Sequence, residues 1–338
     1  MSQAALEIVS GGIGVSIQDA GRTGYRSIGV PVSGALDPLL LAAANGLVGN
    51  APAVAGLELR LVATALKAVG GPLRVALAGD VSTRLLAASG EGRAVAAWSS
   101  VTLVDGDVLQ IGRPRGSAYL AVAGGIRTPK MLGSRSTYAR AGLGLLLAPG
   151  ERLPCAVFTG EVHRDWRGAG PLHRASGPIR VMPGPQLDHF GAAAREAFFG
   201  ADFVVTPAHD RMGLRLAGPP LQHLEGGADI VSDGVTPGAI QVPADGQPIV
   251  LLADCQTVGG YPKIATVIRA DLPRLAHVEA GDVLRFCCVD ATAAAAARRA
   301  LSRGLADWLA ALQPAGTLDA ASLLSANLAG AAVRGDET

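Results

Sequence analysis

Aromatic residues make up 4% of this 338-residue chain and charged residues 17%. The first shortage argues against a base-stacking platform or an aromatic sugar cleft. The second, below the usual level of about 25%, points to a well-buried globular protein. An excess of either charge is missing too, since Lys+Arg 29 against Asp+Glu 28 leaves a formal charge of +1. That balance supplies no basic stripe to neutralise phosphates or coat an anionic bilayer, so neither nucleic acid nor membrane is an expected partner. Cys155, Cys255, Cys287 and Cys288 form no CxxC or other metal-ligand spacing, and the six histidines (163, 173, 189, 209, 223 and 277) show none either. Adjacent cysteines rarely close a disulfide, so reduced thiols, no metal and a cytoplasmic location are expected. The longest apolar stretches are interrupted by Lys67, Gly70, Gly71 and Arg74, or stop at Pro149, short of the roughly 18 residues of a spanning helix. The first cation is Arg22, so the start lacks the charged region of a secretion signal. GxxxxGK[ST], strand-linked GxGxxG, HExxH and GxSxG are all absent, which disfavours a self-sufficient nucleotide hydrolase, dinucleotide oxidoreductase, zincin or serine hydrolase.

What is abundant is glycine (45) and proline (21), dividing short apolar runs as turns divide strands. At roughly 150 residues per domain the length allows about two domains. In "VTLVDGDVLQI" (101–111) aliphatic runs flank Asp105-Gly106, a pair suited to a hairpin turn. "GAIQVPADGQPIVLLAD" (238–254) repeats the logic around Pro243 to Gly246, with a strand from Ile249 to Leu252 that is apolar on both faces and hence central. Alternation in "DRMGLRL" (210–216) puts Met212, Leu214 and Leu216 on one face and Arg211, Gly213 and Arg215 on the other. Helices are few. Asp37-Pro38 opens one as an N-cap and first-turn proline, and Gly49-Asn50 closes it. A second follows Pro185 toward Phe199, and a third, alanine-rich, covers Ala291 to Leu312 with Arg298, Arg299 and Arg303 on one side.

Short phrases recur: "GPLRV" at 71 and "GPIRV" at 177, "GDVLQI" at 106 and "GDVLRF" at 281. The offsets differ, so this is no fixed-period array. Two related β lobes with different insertions would account for it, the plain alternative being that short strand phrases recur by chance. The expected division is an N-terminal lobe over 1–170, a C-terminal lobe over 171–290, and a helix with a partly mobile tail over 291–338. The boundary falls in the polar segment 159–178.

Polar residues gather in four glycine-rich phrases. In the first (16–37), Gln18, Asp19, Arg22, Ser33 and Asp37 stand among glycines that would bring backbone close to a ligand; the plain alternative is a loop in which Asp19 pairs with Arg22. The second, "LGSRSTYAR" (132–140), places Ser134, Arg135, Ser136 and Thr137 in a row, as an anion cradle or a solvated turn. The third is the arginine face of Arg211 and Arg215, anion-facing or merely half-exposed. The fourth, "LADCQTVGGYPKIATV" (252–267), carries Asp254, Gln256 and Thr257 from a buried strand to a Gly259-Gly260 turn, then Tyr261, Pro262 and Lys263. Lys67, Lys130 and Lys263 are the only lysines among 29 basic residues, so a lysine after a glycine turn stands out as a compact charge for a carboxylate or phosphate, though a surface lysine is the ordinary case.

These phrases, together with "LAVAGGI", "LGSRSTYARAGLG", "RVMPGPQ", "DRMGLRLAGPPL" and the long run from Gly238 to Ala276, resemble the biotin-dependent carboxyltransferase family, also called allophanate hydrolase subunit 2. The resemblance covers about residues 8–290. Cys255 stands where arginine or another polar residue is expected, and Ala20 where glycine or leucine is common. The resemblance implies a mainly β fold of two cyclophilin-like β-barrel lobes with a few helices, working with partners. It implies the C subunit of an ATP-dependent 5-oxoprolinase, inactive alone, that works through a KipI-like B subunit with a LamB/YcsF-like A subunit, opening the lactam of 5-oxoproline to glutamate; ATP is then a cofactor of the complex. The alternatives are a carboxyltransferase component of a urea carboxylase-like complex, with biotin carried by another chain, and a KipA-type antagonist that binds a kinase inhibitor. For the ring opening, Asp19, Asp254, Gln256 and Lys263 are the expected catalytic groups, and Arg22, Ser33, Arg135, Arg211, Gln241 and Tyr261 the expected substrate contacts.

Overall fold

The computed structural model describes residues 4–12, 14–160, 165–172, 175–225 and 227–315. The expected mobile tail from 316 and the histidines at 163 and 173 lie outside these residues. Mainly β structure is what the chain adopts, in two lobes, with four α-helices among the described residues: α1 (Pro38–Leu47), α2 (Ala192–Gly200), α3 (Leu272–Leu275) and α4 (Ala291–Ala310).

Two antiparallel sheets of the N-terminal lobe, one six-stranded and one of six strands extended by Gln313–Pro314 from beyond α4, enclose a core that includes Leu6, Ile8, Leu57, Leu66, Val75 and Leu109. Period-two alternation places these side chains inward: in Thr64–Val69, Leu66 and Ala68 are fully buried between half-exposed neighbours. Strand Leu73–Ala78 is buried along its whole length. Its Leu73, Val75 and Leu77 enter the sandwich core, while Ala76 and Ala78 lie beneath Leu40, Leu41 and Leu47 of α1. Asp37 caps α1 through hydrogen bonds from the Leu39 and Leu40 amides, and Trp308 near the end of α4 closes the same layer.

The run 101–111 forms two strands, Ser99–Leu103 and Val108–Ile111, but not the expected hairpin. The first pairs with Leu73–Ala78 in one sheet and the second with Thr64–Val69 in the other. Asp105-Gly106 is therefore a corner between sheets, held by Asp107, whose carboxylate accepts from the Val104 and Ala88 amides. The 238–254 prediction holds, with Ile240 opposite Val250 and Gln241 opposite Ile249. The helix expected after Pro185 is interrupted: a 3-10 turn at Leu187–His189 precedes α2, because Phe190 is extended, wholly buried and bridged to His223.

In the C-terminal lobe eight strands make one sheet whose ends meet. The single segment Val283–Cys288 supplies both edges, Leu284 pairing with Phe203 and Phe286 pairing in parallel with Ile179. One run of chain thus closes a barrel, removing the free edges an open sheet would expose. Its core includes Val181, Val205, Leu214, Ile240, Val250 and Ile264, with Phe198 of α2 stacked on Phe286 at 4.8 Å.

Candidate functional site

The four glycine-rich phrases converge where the lobes meet. Asp19 accepts hydrogen bonds from the Ser134 and Ser136 hydroxyls (2.5 and 2.6 Å) and from the Arg135 and Gly21 amides (2.7 and 2.8 Å). Burial pushes its carboxyl up, but these four donors outweigh burial and hold it below the ordinary range. Backbone bonds add the remaining phrases: the Arg22 amide donates to Val32, and the Ser33 amide to the Ala253 carbonyl of the barrel. Glycine is required here, because a Cβ on Gly21 would lie 2.5 Å from the Val32 carbonyl oxygen, and one on Gly34 2.9 Å from the Gly21 nitrogen, with both residues at positive φ.

Arg211 ties the barrel to the N-terminal lobe. It donates to Asp254 (2.8 and 3.1 Å), to Glu58 (2.5 Å) and to the Gly34 carbonyl (2.7 Å). Glu58 lies on strand Gly56–Arg60 and is 1% exposed. Burial raises its carboxyl, and the Arg211 and Arg60 guanidinium groups with the Tyr119 hydroxyl more than reverse this, leaving it lowered. Burial, reinforced by the charges of Glu58 and Asp37, drives the Tyr119 phenol well above its usual range. A second crossing joins His277 Nε2 to Asp37 Oδ2 at 2.8 Å.

Within this seam Arg22 is 1% exposed and donates one Nη to the Ser136 carbonyl, while its Nε and Nη1 have no partner; the Ser33 hydroxyl beside it has none either. Burial lowers the pKa of this guanidinium against the raising influence of Asp19 and Asp254. A buried donor without a partner costs roughly 1–3 kcal/mol, so their clustering at a junction of four loops marks a place that a polar ligand would complete.

Beside the seam a cleft of about 480 Å³ opens at the barrel wall. Gln241, Gln256, Tyr261, His209, Arg215 and Arg140 line it. Gln256 donates to Gln241 Oε1 at 3.3 Å, leaving the buried Gln241 Nε2 without a partner. A Cβ on Gly259 would meet that nitrogen at 2.6 Å, so glycine makes room for the amide pair. His209 Nδ1 lies 3.0 Å from the Thr206 carbonyl; since a carbonyl only accepts, Nδ1 carries the proton and Nε2 of the neutral ring is left to accept one. Lys263, the cross-strand neighbour of Gln241, is 3% exposed and pairs with Asp233 at 2.7 Å. That hydrogen bond lowers the Asp233 carboxyl.

A family described as carboxyltransferase domain, subdomain A and B, matches residues 28–288, a span that takes in the whole barrel and most of the seam. The chain belongs to this family. Among its relatives, the 5-oxoprolinase C subunit of Escherichia coli is 37% identical over 293 residues, 83% of this chain and 90% of that protein. The Haemophilus influenzae protein of the same name is 34% identical over 290 residues, 84% and 91% of the two chains. Kluyveromyces lactis urea carboxylase superposes with a TM-score of 0.79 at 27% identity, covering 91% of this chain and 29% of that one.

Within this carboxyltransferase frame the ten expected residues separate into two groups. Asp19, Arg22, Ser33, Arg135, Arg211 and Asp254 meet in the seam, where Asp19 and Arg211 are ties rather than open contacts. Their hydrogen-bonding capacity is largely taken by protein groups, and Arg135 directs its Nε to the Thr128 carbonyl. Gln241, Gln256 and Tyr261 line the cleft, and Lys263 stands behind Gln241. Glu58, Tyr119, His277, His209 and Arg140 were not anticipated. For Glu58 a signal existed: an acidic residue inside the apolar strand "GLELR" has to find a buried cation. For His209 and His277 spacing offered none, since their partners are 3 and 240 residues away.

Proposed function

We propose that this protein is the C subunit of an ATP-dependent 5-oxoprolinase, opening a small anionic lactam to its amino-acid product within a complex. The observation that carries this is end-to-end correspondence. Relatives bearing that name are matched over nine-tenths of their length, 90% and 91%, whereas the urea carboxylase chain is matched over 29%. In that reading the partners are a KipI-like B subunit with a LamB/YcsF-like A subunit, in the cytoplasm.

The cleft's residues suit such a substrate. Arg215 supplies an unpaired guanidinium for its carboxylate, to which a fork of N–H donors is matched, while Arg140 is joined to the cleft's own carboxylate, Asp210, at 3.4 Å. The free Gln241 amide, steadied by Gln256, donates to the lactam carbonyl where negative charge develops. His209 Nε2 is the group to accept a proton from a water that attacks the lactam carbonyl and to return it to the ring nitrogen as the C–N bond breaks, and Tyr261, 41% exposed, borders the mouth. Asp254 and Arg211 position the loop that carries Gln256, and Arg22 with Ser33 waits for a carboxylate or carbonyl admitted between the loops. Lys263, held by Asp233, sets the electrostatics behind Gln241. Among the described residues Arg140, in the three-residue 3-10 turn Ala139–Ala141, is the one helical residue of the cleft lining, and no α-helix presents its first amides there, as phosphate-gripping sites do. ATP is accordingly assigned to the complex, and no step is derived through it.

The test is reconstitution: this chain is co-expressed with the two proposed partner subunits and supplied with ATP and either 5-oxoproline or urea. Glutamate formed only from 5-oxoproline, and only when this chain is present, supports the reading. Avidin-sensitive turnover of urea would replace it with the carboxyltransferase alternative. A stable assembly without turnover of either would favour the antagonist role.

A further inference from the structure

The helix α4 runs for 20 residues, yet Trp308 at its far end is its one buried side chain. Its first half stands off the barrel, and a groove of about 740 Å³ lies between the two. The floor is the outer face of the barrel, where Met182 and Thr266 are cross-strand partners, continued by Ile268. Arg269 rises from the barrel side, and Arg298, Arg299 and Arg303 from the helix. None of these four guanidinium groups has an ion-pair or hydrogen-bond partner among the described residues. Other arginines find acidic partners, as Arg180 with Asp271 and Arg285 with Asp202, while further ones unpaired among the described residues, such as Arg84 and Arg215, stand singly; what sets this groove apart is that four unpaired guanidinium groups border one cavity. Four unpaired like charges around one groove repel one another, and an anionic occupant relieves that repulsion.

We propose that this groove receives a segment of a partner protein of the complex that carries carboxylates alongside apolar side chains. The rim fixes the sign of the charge. The apolar lining, Met182 and Ile268 on the barrel floor with Ala294 and Ala295 on the helix wall, fixes the rest: a bare phosphate chain would leave it uncovered, whereas a peptide with acidic and aliphatic residues satisfies both, as helix-in-groove and acidic-motif recognition do elsewhere. The groove is distinct from the cleft, with no lining residue in common. The assignment rests on the reading of this chain as one member of a complex, but concerns assembly rather than chemistry.

The test uses the full chain and a fluorescein-labelled decamer of alternating Glu and Leu, with decaglutamate and inorganic tripolyphosphate as competitors. Binding of the Glu-Leu decamer that weakens with salt, and falls by about tenfold or more in R298E/R299E/R303E, is expected. These side chains are exposed, and an unchanged circular dichroism melt verifies the fold. Equal binding to the charge-reversed protein overturns the proposal; so does tripolyphosphate or decaglutamate competing as well as the amphipathic peptide, which would make the site a simple polyanion patch. In the co-expressed assembly, the charge-reversed chain should co-purify with its partner subunits at least about tenfold less. Normal co-purification and 5-oxoproline turnover would remove the groove from the interface while leaving the oxoprolinase reading intact. Loss of turnover with wild-type chain would strike that reading instead.

Discussion

Replacing Arg211 with Met tests whether the seam is held as described. The substitution keeps most of the side-chain volume and removes the cation between Glu58 and Asp254, whose side chains are 1% and 8% exposed. Removing one member of a buried ion pair leaves an uncompensated charge and costs about 3–5 kcal/mol; for a chain of this size that is roughly 10 °C in Tm. The pH dependence gives a sharper reading. With Arg211 present, the Glu58 carboxyl lies below its ordinary 4.5, so its contribution exists above that value and is lost as pH falls through the lowered one. With Arg211 gone, burial is opposed chiefly by Arg60, the folded-state pKa rises, and protonation relieves the buried charge. The stability gap between R211M and the parent should therefore narrow on going from about pH 8 to about pH 5. Urea denaturation followed by tryptophan fluorescence measures the gap at each pH. R211K, which keeps the charge without the fork, should fall between the two. A loss below about 1 kcal/mol, as for an exposed pair, or a gap that does not change with pH, would refute the account of Arg211 as a buried tie.

Arg22→Met should cost less than about 1 kcal/mol of stability, since it removes buried donors that lack partners, while abolishing turnover in the reconstituted complex; a large fall in Tm with activity kept would make Arg22 structural. The thiols of Cys155 and Cys255 are pushed up by burial to about 12 and about 11, so iodoacetamide followed by mass spectrometry should modify the exposed Cys288 in the native protein and the other two only after unfolding. Gly24 and Gly34 both have positive φ, +93° and +85°, but a Cβ meets nothing within 4 Å at Gly24 and backbone at 2.9 Å at Gly34. Gly24→Ala should cost about 1 kcal/mol of conformational strain, and Gly34→Ala about 1–3 kcal/mol more, read from the same urea curves; equal costs would show that close approach of the loops is not what glycine provides at Gly34.

Much of the strand content was legible because alternation and turn residues act locally. The hairpin at 239–251 and the cap at Asp37 followed from a few adjacent residues. The corner at Asp105-Gly106 was misread for the same reason: the turn chemistry is right, but which sheet each strand joins depends on partners 22 to 47 positions away. Site residues were legible as types clustered in glycine-rich phrases, and the resemblance joined the phrases into one family. Their division between seam and cleft was not, because it depends on how two lobes dock. Arg211 and Arg215 share a strand face in the sequence pattern, yet one faces Glu58 across the seam and the other lines the cleft.

That division also explains why the seam is so heavily bonded next to a sparsely bonded cleft. Arg211 precedes Met212, and Asp254 lies two positions before Gln256; Met212 and Gln256 both line the cleft. The Leu252 amide donates to the Met212 carbonyl, and the Asp254 amide to the Arg211 carbonyl, so the two lining segments are stitched together at the residues that grip the other lobe. A shift of the lobes by a fraction of an ångström therefore moves Arg140, the lining residue from the N-terminal lobe, relative to Gln241, Gln256 and His209 of the barrel, and placements of that size govern whether reacting groups align. The ion pairs fix the lobes so that the cleft can leave its own donors unpartnered. Anything that acts on the relative position of the lobes, a partner protein included, acts on the cleft through Arg211.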